Sequence, residues 1–388
     1  MNQFLQATWN YPTSIHVGAG KVNELGKLCH QIDLTTVLLV TDPGLVQLPF
    51  CQQLIANAQQ SGLTIPVFSN IQSNPTGENV NAGVDVYRHH HCQGVIALGG
   101  GSAIDAGKAI ALMSGQELPL WTFEDVGDNW RKIRVDGIAP SIAIPTTAGT
   151  GSEVGRASVI TDAKHQVKRI IFHPLMLPKQ VILDPELSAS LPAPLTAATG
   201  MDALSHSLEA YCAKGYHPMA DGIAMQAMAM VKDNLLKAYQ DGHNLEARTH
   251  LLVASAMGAT AFQKGLGAMH ALAHPLGAVY NAHHGRLNAI LMPYVLMANR
   301  PAIQSRIETI TPFLKIANGF NGFVDWIIEL RRSLAIEPCL RDIGIDEAHV
   351  ERIAYMATED AAAACNPVSF TAADYEQILL AAIDGKVG

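Results

Sequence analysis

One stretch of the chain, GMDALSHSLEAY, combines a carboxylate and an imidazole at helical spacing. Asp202 and His206 are four residues apart in an apolar run without proline. Residues four apart on a helix lie on one face, about one turn from each other. The two side chains are therefore candidate metal ligands, although ordinary helix residues with satisfied hydrogen bonds would also explain each of them.

A second stretch, AMHALAHPLGAVYNAHHG, repeats this spacing with His270 and His274. Pro275 follows and is expected to disturb the helix before His283 and His284. An imidazole-rich set with one carboxylate suits a divalent transition metal such as Zn(II) or Fe(II) better than Mg(II) or Ca(II), which prefer oxygen ligands. Two such pairs and a third site favour a metal centre. Spacing alone leaves open which histidine of each pair takes part.

A strand that runs into three glycines indicates a phosphate site in the first half of the chain. In GVIALGGGSAIDAGK the apolar run ends at Gly99, Gly100 and Gly101, and Ser102 is expected to be the N-cap of a helix. Glycines allow a backbone to approach a pyrophosphate closely, and the N–H groups and dipole of a helix N-terminus attract its charge. The GxGxxG and P-loop patterns are both absent, and a tight turn alone would also explain the triplet.

A second loop of small and hydroxyl residues, TTAGTGS, follows another strand of the same kind. Ligands in open α/β sheets bind beyond the carboxyl ends of the strands, so two such loops favour a nucleotide site. Asp42 ends the strand TTVLLVTD. An acidic residue there can accept a hydrogen bond from a ribose hydroxyl, and its charge would repel a 2′-phosphate. Such a residue would select NAD over NADP. The alternative is an aspartate that initiates a turn before Pro43.

The elements that must position these residues change along the chain. Up to about residue 185, short β-branched runs alternate with helical stretches, a pattern typical of parallel α/β units. Several prolines follow, and from Thr196 onward the segments are rich in Ala, Leu and Met with helical periodicity. We therefore predict an α/β nucleotide-binding domain over residues 1–185 and an all-helical metal-binding domain over residues 186–388.

Composition excludes several classes of protein. The 388 residues are 48% hydrophobic and carry a net charge of −8 with no run of basic residues, which argues against a nucleic-acid partner. Six cysteines lie far apart with no CxxC, as expected for reduced thiols in a cytoplasmic protein. Neither a signal peptide nor an apolar run long enough for a membrane span is present in the sequence, so no membrane partner is expected.

Taken together, these motifs resemble those of the iron-containing (group III) alcohol dehydrogenases over essentially the full length of the chain. The matching pieces are IALGGGSAIDAGKAIA, AIPTTAGTGSEV, ATGMDALSHSLEAY, MHALAHPLGAVYNAHHG, and LRDIGIDEAHVERIA with Asn366 and Pro367. The resemblance implies a Rossmann-like N-terminal nucleotide domain and an all-helical C-terminal metal domain, the dehydroquinate synthase-like fold, with the active site in the cleft between them.

The resemblance also assigns roles to residues. The family's metal ligands fall on one aspartate and three histidines: Asp202, His206, His270 and His284. The second histidine of the family's HxxxHPLG motif falls on His274 and lies beside the substrate, so we expect it to relay the alcohol proton. The family's nucleotide contacts fall on ten residues: Asp42, Gly99, Gly100, Gly101, Ser102, Asp105, Thr146, Thr147, Thr150 and Lys168.

The sequence thus predicts an NAD(P)-dependent alcohol dehydrogenase acting on a small primary alcohol or the matching aldehyde, with NAD preferred over NADP. Fe(II) is the expected metal and Zn(II) the alternative, and the family resemblance implies a homodimer or larger homo-oligomer. One alternative is another superfamily member, such as a glycerol dehydrogenase or a lyase like dehydroquinate synthase. The other is a non-catalytic nucleotide- or metal-binding protein with a decayed site.

Two features of the sequence depart from the family or remain open. Val368 follows Pro367, where many members of the family have arginine, which puts a local ion pair in doubt. The segment LWTFEDVGDNWRKI (120–133) could contribute to substrate choice or could be a surface loop only.

Overall fold

The computed structural model describes residues 11, 13–165 and 167–387. The chain divides into two compact units, one of Tyr11–Thr147 with Gly151–Ser190 and one that includes Ala148–Thr150 and Leu191–Gly388. The first is an α/β unit and the second is helical. The predicted boundary after residue 185 stays a prediction, and residues 1–10, which the predicted first domain includes, lie outside the described residues.

The α/β unit is built around a parallel sheet, as predicted from the alternation of strands and helices. Six strands form it in the order β1-β8-β5-β4-β2-β3, and all of their pairings are parallel. The strands of the unit are β1 (Ser14–Val17), β2 (Val37–Val40), β3 (Val67–Phe68), β4 (Gly94–Gly99), β5 (Ser141–Pro145), β6 (Ala157–Asp162), β7 (Val167–Phe172) and β8 (Gln180–Leu183). Its helices are α1 (Leu25–His30), α2 (Pro49–Gln60), α3 (Gly77–His89) and α4 (Gly101–Met113).

The continuous apolar run of β2 reflects burial on both faces of the sheet. Leu38 and Val40 belong to a core cluster that includes apolar side chains of α3 and α4. Val37 and Leu39 point the other way, into a cluster shared with α1 and α2. Successive side chains of a strand face opposite sides, so a strand covered on both faces has no polar positions. The helices therefore cover both sides of the sheet.

Strands β6 and β7 do not join the parallel sheet but form an antiparallel hairpin of their own. The connection between them is short, and a short connection allows only antiparallel pairing. The segment 120–133 packs on this hairpin. Glu124 bridges to Ile171, Asp125 N–H donates to the carbonyl of Ile170 at 2.8 Å, and Arg169 pairs with Glu124 at 2.6 Å. The segment is therefore tied to the hairpin rather than being a detached surface loop.

The second unit is helical, as predicted. Its helices are α5 (Ala193–Cys212), α6 (Pro218–Gln240), α7 (Leu245–Ala261), α8 (Ala268–Tyr280), α9 (His284–Ile310), α10 (Gly319–Ser333), α11 (Val350–Glu359) and α12 (Ala372–Asp384). Among the described residues, no helix combines the length and apolar character that crossing a bilayer would require.

The prediction that Pro275 disturbs the helix is wrong, because α8 continues through this residue for more than a turn. Proline removes one helical hydrogen bond. Here the neighbouring Leu272 and Leu276 are fully buried, and tertiary packing of such a face outweighs the lost bond. The helix ends instead where Asn281 adopts a left-handed conformation with φ of 51°.

Candidate metal centre and phosphate loops

Four side chains of the helical unit converge at one point. One candidate ligand atom from each lies within 4.8 Å of the others, and the set is Asp202, His206, His270 and His284. Helix α5 contributes the first two, α8 the third, and the last is the first residue of α9. These are the residues that the family resemblance assigned to the metal, and their role as ligands stays a prediction. The neighbouring His283 is the exposed N-cap of α9 and is not in this set.

A close contact between helices brings His284 to Asp202. A Cβ atom on Gly285 would lie 2.2 Å from the carbonyl oxygen of Ala198 and 3.1 Å from the Cβ of Asp202. Only glycine allows the start of α9 to approach α5 this closely. The resulting distance between Nε2 of His284 and Oδ1 of Asp202 is 3.5 Å.

We expect Gly285→Ala to lower the free energy of unfolding by the roughly 1–3 kcal/mol typical of overpacking, because the new methyl group collides with backbone. Urea unfolding of metal-free protein measures this effect. The matched control is Gly222→Ala in α6, where a Cβ meets nothing within 4 Å. That control should be neutral or stabilising, since alanine is the better helix former. Equal midpoints for Gly285→Ala and wild type would contradict the packing argument.

Hydrogen bonds orient two of the imidazoles through their Nδ1 atoms. Nδ1 of His206 lies 3.2 Å from the carbonyl oxygen of Gly149, and Nδ1 of His270 lies 2.6 Å from Oε2 of Glu209. An Nδ1–H that donates to an oxygen leaves Nε2 with the lone pair. The two rings stack with their centroids 4.6 Å apart. One carboxylate and imidazoles oriented in this way fit a divalent Fe or Zn ion, and such oriented histidines are typical of metal sites.

The protonation states also fit metal binding. Burial by itself would raise the pKa of Asp202, but the imidazoles of His206, His284 and His270 lower it to about 2. Burial lowers the pKa of His270 and of His284 well below the ordinary value. At neutral pH the group therefore holds an ionised Asp202 beside neutral imidazoles on His270 and His284, and metal ligands must be deprotonated in this way.

Two polar residues around the cluster were not identified from the sequence. Asn288 lies one turn after His284, and its Nδ2 donates to Oδ1 of Asp202 at 2.9 Å. Glu209 is buried on α5, and burial raises its pKa to about 7. Each lies three or four residues after a candidate ligand, so the same helical spacing that singled out the ligands would have found both.

His274 lies beside the cluster without being one of its four members. Its ring stacks on that of His284 with centroids 5.4 Å apart, and its Nδ1 lies 2.8 Å from Oδ2 of Asp360. Burial alone would raise the pKa of Asp360, but its hydrogen bond with His274 lowers it. Asp360 is 86 residues away in sequence, and no local pattern indicated it.

The predicted phosphate loops end adjacent strands of the parallel sheet. Asp42, Gly99 and Thr146 follow or end β2, β4 and β5, which are neighbours in the sheet. Thr146 N–H donates to the carbonyl of Gly99 at 3.0 Å. Gly99 has φ of +146°, and a Cβ there would lie 2.8 Å from that of Ala103. The carboxyl ends of these strands therefore form one edge, where α/β sheets bind ligands.

The prediction that Ser102 is the N-cap of α4 is wrong. The helix begins at Gly101, the N-cap is Gly100, and no side chain caps it. Gly100 is extended, so the helix begins two residues earlier than the propensity of serine for N-caps suggested. The hydroxyl of Ser102 donates to the carbonyl of Ser73 instead. A helix start without a side-chain cap suits an anion that the backbone N–H groups would bind.

Asp105 is held by protein donors on both carboxylate oxygens. Oδ1 accepts from the hydroxyl of Ser152 and lies 3.3 Å from Nζ of Lys108, and Oδ2 accepts from Val159 N–H at 3.0 Å. The residue therefore ties α4 to the second loop and to the β6–β7 hairpin. The predicted contact of Asp105 with a nucleotide stays a prediction.

The remaining predicted nucleotide contacts lie in both units. Thr147 lies near Gly100, where a Cβ would be 3.5 Å from its Oγ1. Lys168 lies on β7, and burial lowers its pKa. Thr150 belongs to the helical unit. The structure thus groups Thr147 with the glycine loop, and the roles of Lys168 and Thr150 stay predictions.

Asp42 initiates a turn before Pro43, as in the alternative interpretation of this residue. Its Oδ1 accepts from Gly44 N–H and Leu45 N–H, each at 2.9 Å. Its Oδ2 lies 3.7 Å from the position that a Cβ on Gly99 would take. One oxygen therefore fixes the turn, and the other lies beside the glycine loop, so the two interpretations of Asp42 are compatible.

Known proteins define the class to which this fold and site belong. A family model described as iron-containing alcohol dehydrogenase matches residues 12–185, and one for the C-terminal part of the Fe-containing alcohol dehydrogenase family matches residues 196–383. The chain belongs to the iron-containing alcohol dehydrogenase family. It is an oxidoreductase that acts on CH–OH groups, and both matching models favour this activity over the lyase alternative.

Individual relatives extend over nearly the whole chain. A 4-hydroxybutyrate dehydrogenase of Cupriavidus necator is 38% identical over 95% of this chain and 98% of its own. An NAD-dependent methanol dehydrogenase of Bacillus methanolicus is 34% identical over 95% and 97%. A crystal structure of a 1,3-propanediol oxidoreductase superposes with a TM-score of 0.92 at 32% identity, covering 97% of this chain and all of that one.

Proposed function

We propose that the chain converts a small primary alcohol and the matching aldehyde into each other, with NAD as the hydride carrier and Fe(II) as the metal. The convergence of Asp202, His206, His270 and His284 within 4.8 Å carries this proposal. Fe(II) rather than Zn(II) is supported by the description of the family as iron-containing. NAD is supported by the NAD-dependent relative and by the position of Asp42.

The four residues would hold the metal through one carboxylate and three imidazole nitrogens. When bound, the metal supplies Lewis-acid polarisation of the alcohol or aldehyde oxygen, and the nicotinamide supplies the hydride chemistry. The low pKa of Asp202 keeps its carboxylate ionised. The carbonyl of Gly149 and the carboxylate of Glu209 hold the rings of His206 and His270, respectively, in one orientation. The two rings therefore do not have to reorient during turnover.

His274 is our candidate for the residue that transfers the alcohol proton. Its Nδ1 bonds to Asp360, so an ionised Asp360 fixes the proton on Nδ1 and leaves Nε2 able to accept another. Its side chain is 30% exposed. An imidazole in this position can exchange a proton with water after taking it from the substrate.

A small primary alcohol is supported by the relatives, because 4-hydroxybutyrate, methanol and 1,3-propanediol all carry primary hydroxyl groups. A screen of NADH absorbance across these compounds, with glycerol and secondary alcohols as comparisons, tests the proposal. We expect NADH to form from a primary alcohol, and to stop when the metal is removed by a chelator. Preferred oxidation of glycerol would favour the glycerol dehydrogenase alternative, and substrate turnover without net NADH would favour a lyase.

We also propose a cytoplasmic homodimer or larger homo-oligomer. All six cysteines are free thiols, which supports a reducing compartment. The oligomer is supported by the family resemblance alone, and light scattering of the purified protein measures it.

We expect NAD to be preferred over NADP by roughly tenfold or more. The negative charge of Asp42 would repel the 2′-phosphate and weaken the binding free energy of NADP by on the order of 1–3 kcal/mol. Asp42→Asn keeps an oxygen for the turn to Gly44 and Leu45 while it removes the charge, so it should relax the preference without loosening the turn. Asp42→Gly should relax the preference and also lose the turn. The ratio of the catalytic efficiencies with NAD and NADP measures the preference. Equal efficiency with the two cofactors in the unmodified chain would contradict the prediction.

A further inference from the structure

We propose that Glu209 is a positioning residue that fixes the metal-binding tautomer of His270. This inference rests on the metal centre proposed above and adds a residue outside the four candidate ligands. Glu209 is 5% exposed and lies on α5, three residues after His206. Its carboxylate faces α8 rather than the cluster itself.

The contacts of the Glu209 carboxylate determine where the proton of His270 lies. Oε2 lies 2.6 Å from Nδ1 of His270 and accepts from Gly267 N–H at 2.9 Å, and Oε1 accepts from Met269 N–H at 2.7 Å. An ionised carboxylate only accepts hydrogen bonds, so Nδ1 must carry the proton and Nε2 the lone pair. That Nε2 lies 3.9 Å from Oδ1 of Asp202, on the side of the cluster.

The same carboxylate also fixes the backbone from which His270 projects. The first N–H groups of a helix have no partner within the helix. At α8, Glu209 accepts those of Gly267 and Met269, and Oδ1 of Asn366 accepts that of Ala268 at 3.0 Å. A Cβ on Gly267 would lie 2.8 Å from Oδ1 of Asn366. The N-terminus of α8 therefore packs tightly against the side chains of Glu209 and Asn366.

A buried negative charge at this point is stabilised by what surrounds it. Three N–H donors bond to the carboxylate, and such charge-assisted bonds are among the stronger ones in proteins. The N-terminus of α8 adds the favourable end of the helix dipole. Burial raises the pKa of Glu209, and the N–H groups of Met269 and Gly267 oppose that rise and so favour the ionised form.

Asn366 separates this role from simple capping of a helix. It caps the same helix end, and its hydrogen bonds within the described residues go to Ala268 N–H, to the carbonyl of Val368 and, at 2.8 and 3.0 Å, to the amide of Asn299, not to an imidazole. Removing it should loosen α8 without changing the tautomer of His270. Glu209→Gln, in contrast, removes the charge, and its NH₂ group must face either Met269 N–H or both His270 and Gly267 N–H. In either orientation the charged acceptor for Nδ1–H of His270 is lost. If this group faces His270, the proton moves to Nε2 and competes with the metal.

The experiment is a Co(II) titration of the full-length chain after chelation, followed by visible absorption, with the melting temperature of each metal-free protein as the measure of structural damage. Glu209→Gln should weaken Co(II) binding by about 10–100-fold, the range found for outer-shell partners of metal ligands, and should alter the Co(II) spectrum. Asn366→Ala should lower the melting temperature and keep Co(II) affinity and spectrum close to those of wild type. Glu209→Asp, which keeps the acceptor charge, should bind Co(II) more tightly than Glu209→Gln.

Equal Co(II) affinity in Glu209→Gln and wild type would overturn the inference, and so would equal losses in Glu209→Gln and Asn366→Ala. If Glu209→Gln does not fold, nitrogen NMR of isotope-labelled histidine in the wild type still decides, because a proton on Nε2 of metal-free His270 contradicts the inference. Failure of the metal centre itself has a different result: the wild type would bind no Co(II), or His270→Ala would bind it as tightly as wild type.

Discussion

Alanine at any one of the four converging residues should remove the metal. His270→Ala leaves three protein ligands, and the loss of metal affinity should exceed the roughly 10–100-fold that follows from losing an outer-shell partner. Turnover should be lost in the same proportion. The measurement is metal content per chain after dialysis, together with the rate of NADH formation, for alanine variants of Asp202, His206, His270 and His284.

The adjacent histidine His283 is the matched control for this series. It is an exposed residue at the N-cap of α9 and lies outside the group of four. His283→Ala should therefore keep close to the metal content of the wild type. Retention of metal in all four ligand variants would place the metal elsewhere in the chain.

His274→Ala should keep its metal and still bind NAD, while turnover falls by roughly 10²- to 10⁴-fold, the range for losing a positioned proton-transfer group. The reason is that His274 is oriented by Asp360 and lies beside His284 without joining the group of four. Steady-state rates, metal content and NAD titration of the same preparation measure the three quantities.

Asp360→Asn provides a second, milder variant for the same role. Its amide oxygen can still accept from Nδ1–H of His274, but without the charge that stabilises a protonated ring. We expect a smaller loss of turnover than in His274→Ala and unchanged metal content. Loss of metal from His274→Ala with retention in His270→Ala would reverse the assignment of the two histidines.

Those two histidines show where sequence reasoning ends. His270 and His274 lie four residues apart on one face of α8, so their spacing treats them as equals. Their partners differ, since His270 bonds to Glu209 and His274 to Asp360, at sequence separations of 61 and 86 residues. Only tertiary contacts distinguish the two, and a single sequence does not contain them. The family resemblance made the choice that spacing could not.

Other parts of the fold were predictable because local signals and burial agree. Strand β2 appeared as a continuous apolar run, and its side chains enter cores on both faces of the sheet. The antiparallel pairing of β6 and β7 in a separate sheet does not follow from strand propensity, because propensity does not determine which strands pair. The short connection between them was the available signal for a hairpin.

Local propensity misled the prediction at two residues. Ser102 is a favoured residue for an N-cap, yet the extended Gly100 starts α4 earlier, and the serine hydroxyl bonds to Ser73. Pro275 is a helix breaker, yet α8 continues because its apolar side chains are fully buried. In both cases the surrounding structure outweighed a preference of the order of 1–3 kcal/mol.

The central claim is that Asp202, His206, His270 and His284 hold one divalent metal on which the alcohol dehydrogenase activity depends. Anomalous diffraction at the absorption edge of iron, from crystals of protein reconstituted with Fe(II), tests it most directly. The account predicts one strong anomalous peak at about 2.0–2.2 Å from the candidate oxygen and nitrogen atoms of these residues. A peak at any other position, or fully active crystals with no peak between these four side chains, would contradict it.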